Sequence, residues 1–313
     1  MNTTAFIFPG QGAQYVGMGK ELCAQSAAAK KVYDLSAAAL GFDIGEVSFQ
    51  GPLDALTRSS ICQPAIVTFS WALMESWRGE AGGGSLMPAV CAGLSLGEYT
   101  ALVACGSLEF SDAVRLVHKR GLYMDEASRE HPGGMSCILG LAGEKAAEVC
   151  AKSGAEIANL NCPGQVVISG TFAAIEKAAV LAQEAGARRI IPLEVSGPFH
   201  CSLMKSAAKK LALELEHVVI RQPQAVFIPN VTAEPVSDPH IIKELLIRQV
   251  AQTTYWEKSV ARMQGMGISR YYEIGPGKVL RGLLQRIERG LSVISIEARE
   301  DTAQLPQASG GKS

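Results

Sequence analysis

The chain has 313 residues, 48% hydrophobic and 19% charged, with a formal net charge of −1; that suits a soluble globular protein with a large core and room for an inserted domain, and it excludes a general basic field for nucleic acid or an anionic membrane. The eight cysteines are scattered, with no C-x-x-C pair and no cysteine–histidine spacing for zinc, so reduced thiols and no metal are expected. At the N-terminus, Met1-Asn2-Thr3-Thr4 lacks a basic segment and the apolar run stops at Pro9, so no signal peptide is expected; nor does any apolar stretch approach the ~18 residues of a membrane span. The expected compartment is the cytoplasm.

The first element is a buried strand, Ala5-Phe6-Ile7-Phe8, broken by Pro9-Gly10-Gln11-Gly12 and followed by a helix near Met18–Ala29. Strand, glycine loop and helix open an α/β unit. Further helices are expected near Lys31–Ala39 and Gln63–Arg78, with Gly82-Gly83-Gly84-Ser85 as a flexible connection. An apolar run, Met87–Cys91, leads into Gly93-Leu94-Ser95-Leu96-Gly97-Glu98-Tyr99 and a helix to Cys105. A G-x-S-x-G between strand and helix puts serine on a sharp, strained turn with its hydroxyl exposed, and the helix start adds N–H groups for an oxyanion. The alternative is a glycine-rich turn holding an ordinary serine. Ser111 is the expected N-cap of a helix to Ser128 with Val114, Val117, Gly121 and Met124 inward.

The pattern then changes. Strand-like runs at Ser136–Leu141, Ala155–Leu160, Val166–Ser169 and Arg189–Val195 alternate with helices near Glu144–Lys152 and Ala173–Ala185. Cys162-Pro163-Gly164-Gln165 suits a type II turn. This β-α-β-β-α-β order predicts a ferredoxin-like insert over 129–197. A helix at Ser202–Glu216, the unit Tyr271–Ile274, Gly275-Pro276-Gly277 and helix to Arg289, and a strand at Leu291–Ile296 return to the main domain, over 1–128 and 198–305. The tail 306–313 is expected to be disordered.

A serine nucleophile requires a base. Of five histidines, His118, His131, His217 and His240 lie mid-helix or in polar, linker-like surroundings. His200, in Val195-Ser196-Gly197-Pro198-Phe199-His200, sits where the insert rejoins the main domain, a favoured place for a site residue; position alone does not separate it from a packed boundary histidine. The loop Phe8–Gln14 lacks the Walker lysine and the Rossmann spacing. It could supply one N–H of an oxyanion hole whose other half is Leu96, or be only a tight turn.

Phe8-Pro9-Gly10-Gln11-Gly12, Gly93–Tyr99, Arg120-Gly121, Asn161–Gly170, Pro198-Phe199-His200 and Tyr272–Gly277 occur in that order. Together they resemble the malonyl-CoA:acyl carrier protein transacylases of fatty-acid synthesis, from Phe6 to about Ile296. The resemblance implies an α/β-hydrolase-like large subdomain with a ferredoxin-like small one, Ser95 as nucleophile and His200 as base. It also implies backbone N–H groups of Gln11 and Leu96 as the oxyanion hole, and the backbone carbonyl of Gln249 as the group orienting His200. Arg120 is then the partner of the malonyl carboxylate, whereas beside Lys119 on a helix it would otherwise read as a surface charge. Gln63, Phe199 and Asn161 match positions at the acyl site, Phe199 being the bulk that disfavours an α-methyl branch. Leu94 departs from the histidine that many members carry before the nucleophile.

The implied partners are malonyl-CoA and an acyl carrier protein, with no metal or redox cofactor and a monomeric enzyme. Lys205, Lys209 and Lys210 are candidates for docking an acidic carrier, against a plain solvated helix face. Alternatives are a discrete acyltransferase serving a polyketide synthase, a serine thioesterase or esterase, which Arg120 and the neutral orienting group argue against, and a non-catalytic carrier-binding protein, against which Ser95 and His200 together argue.

Overall fold

The structure, a computed structural model, describes residues 3–79 and 87–306. The glycine connection at 82–85 and the tail from 307 lie outside the described residues. Strand β1 (Thr4–Phe8) is buried at every position, as a central strand covered on both faces should be. Helices α1 (Lys20–Gln25) and α2 (Ala27–Leu40) follow. Their division differs from the one expected because Ser26 breaks the run and caps α2, its side chain accepting from the Ala29 N–H at 3.3 Å. Two short helices, α3 (Ile44–Gln50) and α4 (Leu53–Thr57), precede α5 (Ser59–Gly79).

Helix α5 contains Pro64, which has no N–H to offer the Ser60 carbonyl. His118 takes that carbonyl with Nδ1 at 2.7 Å, a structural use for a mid-helix histidine. It comes from α7 (Phe110–Glu130), reached through β2 (Val90–Gly93) and α6 (Gly97–Ala104). Ser111 is the second residue of α7 and not its cap; Glu109 holds the cap position and no side chain caps the helix. Val114, Val117, Gly121 and Met124 face inward as expected. At Gly121 the two long helices nearly touch, since a Cβ there would lie 2.4 Å from the Ser59 carbonyl oxygen. That close crossing sets Arg120 deep between α5 and the sheet.

The next segment is β3 (Gly133–Leu139), α8 (Gly143–Ser153), β4 (Glu156–Cys162), β5 (Gln165–Thr171), α9 (Phe172–Glu184) and β6 (Arg189–Pro192). It forms an antiparallel sheet in the order β4-β5-β3-β6, the ferredoxin-like arrangement. Gly164 has φ 71°, fitting the third position of a type II turn. β6 ends at Pro192, three residues short of the expected end, because after Leu193, whose N–H still donates to the Met135 carbonyl, the Val195 N–H folds back onto the Leu193 carbonyl at 3.0 Å and the chain leaves the sheet.

After a 3-10 turn at Ser202–Met204 come α10 (Lys205–Glu216), β7 (Val226–Ile228), α11 (Pro239–Val250), α12 (Trp256–Gly265), β8 (Arg270–Ile274), α13 (Val279–Ile287) and β9 (Ser292–Ile296). The large sheet runs β7-β2-β1-β8-β9, all parallel. The fold is therefore α/β, a hydrolase-like parallel sheet carrying an inserted ferredoxin-like unit. In the β1–β2 register Phe8 stands opposite Gly93, so the loops after the two strands emerge side by side at the carboxyl edge. Among the described residues no helix is long and apolar enough to cross a membrane, and all eight cysteines are free thiols.

Candidate active site

The serine turn is built by close backbone approach. A Cβ on Gly93 would lie 2.1 Å from the Gly97 carbonyl carbon, and one on Gly97 would lie 2.1 Å from the Phe8 carbonyl oxygen. Only glycine fits at either place. Between them Ser95 takes φ 52°, a left-handed conformation that costs a non-glycine residue about 1–3 kcal/mol. The backbone is held there on both sides: the Ser95 N–H donates to Asn230 Oδ1 at 2.6 Å, and Gln249 Nε2 donates to the Ser95 carbonyl at 2.9 Å.

His200 reaches Ser95 from the return of the inserted unit, also with positive φ, 58°. Its Nε2 lies 2.8 Å from Ser95 Oγ and its Nδ1 lies 2.8 Å from the Gln249 carbonyl oxygen. A carbonyl only accepts, so Nδ1 carries the proton and Nε2 presents its lone pair to the serine hydroxyl. Burial, then the positive charge of Arg120, pushes the imidazole pKa down to about 4, against the smaller opposing effect of the Gln249 carbonyl. The ring is neutral near pH 7 and free to accept a proton.

Arg120 is 2% exposed, so its reading as a surface charge fails. Its Nη1 donates to Gln63 Oε1 at 2.7 Å, and Nη2 donates to Ser95 Oγ at 3.0 Å and Gln249 Oε1 at 2.9 Å. The guanidinium stands over the Tyr99 ring, 5.6 Å from its centroid. Burial lowers its pKa, but a guanidinium stays protonated in proteins. Among the described residues it makes no ion pair with a carboxylate. A buried cation served only by neutral amides and a hydroxyl, and set against the serine at the turn, is suited to an anionic substrate group.

The Leu96 N–H opens the turn into α6, and Gln11 sits on the neighbouring loop, where a Cβ on Gly10 would be 2.6 Å from the Leu94 carbonyl oxygen. Among the described residues neither N–H donates to another protein group. The Gln11 side chain is tied down, Nε2 to Ser59 Oγ at 3.3 Å and Oε1 to Gln63 Nε2 at 3.4 Å. Phe199 is buried beside His200. Asn161, on β4, is outside this hydrogen-bond network, and its Oδ1 is buried without a protein partner. No group of three His, Cys, Asp or Glu side chains among the described residues could hold a metal.

Three features escaped the sequence reading. Asn230 follows the three-residue strand β7, too short to announce itself. Glu98 is wholly buried beneath the turn, its pKa raised to about 8 by burial, with the Asn230 N–H and Arg120 acting in the other direction. The Gln249 side chain binds Arg120 and the Ser95 backbone while its carbonyl serves His200.

The acyl transferase domain family matches residues 5–291. The malonyl CoA-acyl carrier protein transacylase of Bacillus subtilis is 44% identical over 305 residues, 96% of this chain and 95% of the relative. That of Escherichia coli K12 is 43% identical over 92% of this chain and 93% of its own. The crystal structure of an acyl carrier protein S-malonyltransferase from Vibrio cholerae superposes with a TM-score of 0.93 at 39% identity, covering 97% of this chain and all of that one. A malonyl-transacylase solved in complex with a type II PKS acyl-carrier protein superposes at 0.92 with 36% identity, covering 96% and 98%.

Proposed function

The chain belongs to the acyl transferase domain family, among the malonyl CoA-acyl carrier protein transacylases, and from that membership we propose how its residues divide the work. The enzyme is an acyltransferase that moves a malonyl group onto acyl carrier protein in fatty-acid synthesis. Malonyl-CoA enters as donor with its free carboxylate on Arg120. His200 Nε2 takes the Ser95 proton as Oγ attacks the thioester carbonyl, and the oxyanion is received by the Gln11 and Leu96 N–H groups. The CoA thiolate leaves with the proton from His200, and malonyl remains on Ser95 as an ester.

The carrier's phosphopantetheine thiol then gives its proton to His200 and attacks that ester. Ser95 Oγ leaves, regaining the proton, and malonyl departs on the carrier. The neutral Gln249 carbonyl fixes the tautomer but stabilises the imidazolium less than a carboxylate would, which suffices when each half-reaction has a readily ionised thiol as its leaving group or its nucleophile. Neither a metal nor a redox cofactor enters this scheme. Gln63 holds Arg120, and Phe199 and Asn161 line the acyl side. The working unit of this scheme is a monomer. The catalytic subdomain is taken as 1–128 and 198–305 and the insert as 129–197, a division supported by an antiparallel sheet drawn wholly from 133–192.

The observation carrying this reading is the buried Arg120 guanidinium 3.0 Å from Ser95 Oγ. Intact-protein mass spectrometry tests it: malonyl-CoA should add one malonyl group to the native protein and none to Ser95→Ala, and the loaded enzyme should discharge onto holo carrier protein. A malonylated Ser95→Ala protein overturns the assignment. Offering the loaded enzyme fatty-acid and polyketide carriers in turn decides which carrier it serves.

A further inference from the structure

We infer that Asn230 is a positioning residue for acyl transfer, its carboxamide clamping the strained Ser95 backbone from behind so that Oγ meets His200 and the Leu96 N–H meets the oxyanion. The inference rests on Ser95 being the nucleophile. Asn230 touches no reacting atom. It is 0% exposed, in the turn after β7. Its Oδ1 accepts from the Ser95 N–H at 2.6 Å and its Nδ2 donates to the Gly93 carbonyl at 2.7 Å. One flat group thus bridges the backbone on both sides of Leu94. An amide has one accepting and one donating end, matching one N–H and one C=O; a carboxylate only accepts and an apolar side chain does neither.

The clamp is itself held. The Asn230 N–H donates to Glu98 Oε1, and its carbonyl accepts from the Tyr255 N–H at 2.9 Å. Glu98 lies in the first turn of α6, directly after the serine turn. The connections therefore close a ring, from the elbow through Glu98 to Asn230 and back to the elbow. With Gln249 Nε2 on the Ser95 carbonyl, both backbone polar groups of the nucleophile are fixed by side-chain amides from separate elements. A residue in a sparsely populated φ region persists only where its surroundings over-determine it, and displacement of a reacting atom by about 1 Å can cost about 10²-fold in rate.

The test compares Asn230→Ala and Asn230→Asp, both checked for cooperative unfolding, using malonyl-CoA and a small fluorophosphonate that labels activated serines. Asn230→Ala should slow malonylation and fluorophosphonate labelling together by about 10²-fold, with KM for malonyl-CoA within about threefold of native because Arg120 is untouched. Asn230→Asp supplies a readout that general destabilisation would not move. An ionised carboxylate would face the Gly93 carbonyl with no proton to donate, whereas a protonated one restores the bond. Its labelling should be slow near pH ~8 and recover toward pH ~6, a steeper slope than that of the native enzyme, which keeps Glu98 but has no titrating group at position 230 and whose His200 stays neutral until about 4. The charged or titratable groups in this cluster are Glu98, Arg120 and His200; burial at position 230 would hold the introduced carboxyl's pKa up, and the Arg120 cation would act in the other direction. Should the alanine variant fail to fold, the aspartate variant decides. Labelling of Ser95 that ignores Asn230→Ala, or an aspartate defect equal at every pH, overturns the proposal alone. A label on the native protein that maps elsewhere than Ser95 overturns the nucleophile assignment and this proposal with it.

Discussion

Gln249 holds His200 with its backbone carbonyl, 2.8 Å from Nδ1, and keeps its side chain for other work. The side-chain oxygen accepts from Arg120 Nη2 at 2.9 Å, and Nε2 donates to the Ser95 carbonyl. Orientation of the base and anchoring of the cation are thereby separable by mutation. Gln249→Ala leaves the carbonyl on His200 and removes two hydrogen bonds, the one to the Ser95 carbonyl and one to a charged group, the latter worth about 1.5–3 kcal/mol. Malonyl transfer should fall by about 10- to 10²-fold. Gln249→Glu should be worse for malonyl-CoA than alanine, because the new carboxylate would pair with Arg120 and compete with the substrate. Steady-state rates for both variants check this; an alanine variant more damaged than the glutamate one would reject it.

His200→Ala should slow acylation and deacylation by roughly 10²–10⁴-fold, the span of a positioned general base, without unfolding the protein. In the native enzyme kcat/KM should hold level at neutral pH and fall only in acid, as His200 takes up a proton near 4. An acid limb centred near 6.5 would mean that the ring titrates as if exposed, or that another group is the base.

The stability profile separates two buried groups of opposite sign. For His200 the folded pKa, about 4, lies below the ordinary 6.5. Between those values the unfolded chain binds more protons, and the contribution is lost as pH falls. For Glu98 the folded value, about 8, lies above the ordinary 4.5. There the folded state holds the extra proton, and the contribution is lost as pH rises from 4.5 toward 8. Glu98→Gln, which cannot ionise, should therefore lose less thermal stability than the native protein between pH ~6 and ~8.5. Melting curves at a series of pH values test it; parallel curves would show that Glu98 does not titrate there.

Carrier docking narrows to two of three lysines. Lys210 Nζ is 2.7 Å from Glu126 Oε2, so its charge is already answered, while Lys205 and Lys209 are exposed on α10. Reversing both to glutamate should raise KM for carrier protein and leave that for malonyl-CoA alone. Equal effects on the two, or none, would leave α10 a solvated face.

The glycine spacing around Ser95 was legible because the physical demand is local: two close backbone approaches, one at Gly93 and one at Gly97. The antiparallel insert was legible from alternating short strands and helices, with Pro163-Gly164 marking its hairpin. The segment between Glu216 and Tyr271 was not. It holds β7, three residues long, and α11 and α12, though Asp238 before Pro239 is a readable helix start, its side chain accepting from the His240 N–H at 2.8 Å. Asn230 and the Gln249 side chain were hidden for the same reason: their roles exist only when distant segments meet at the carboxyl edge of the sheet. Arg120 was misread without family resemblance because local sequence, with Lys119 beside it, says nothing of a helix crossing closed by Gly121.

Arg120 supports the sharpest expectation. Arg120→Ala removes the cation that would receive the malonyl carboxylate, and a buried ion pair broken on one side costs about 3–5 kcal/mol; malonyl transfer should drop by at least about 10²-fold. The same change relieves the penalty a neutral acyl group incurs by leaving the guanidinium without an anion. It also removes the Nη2 donor from a lone pair of Ser95 Oγ and leaves the contact between the hydroxyl and His200 Nε2 in place. Acetyl transfer should therefore fall little or rise, inverting the preference. Arg120→Lys should rescue malonyl transfer only in part, since one ammonium cannot serve Gln63, Gln249 and a carboxylate in the planar geometry the guanidinium provides. Parallel rates with malonyl-CoA and acetyl-CoA decide the matter: a drop by the same factor for both would make Arg120 a structural residue, and acyl selectivity would then have to come from the packing around Phe199.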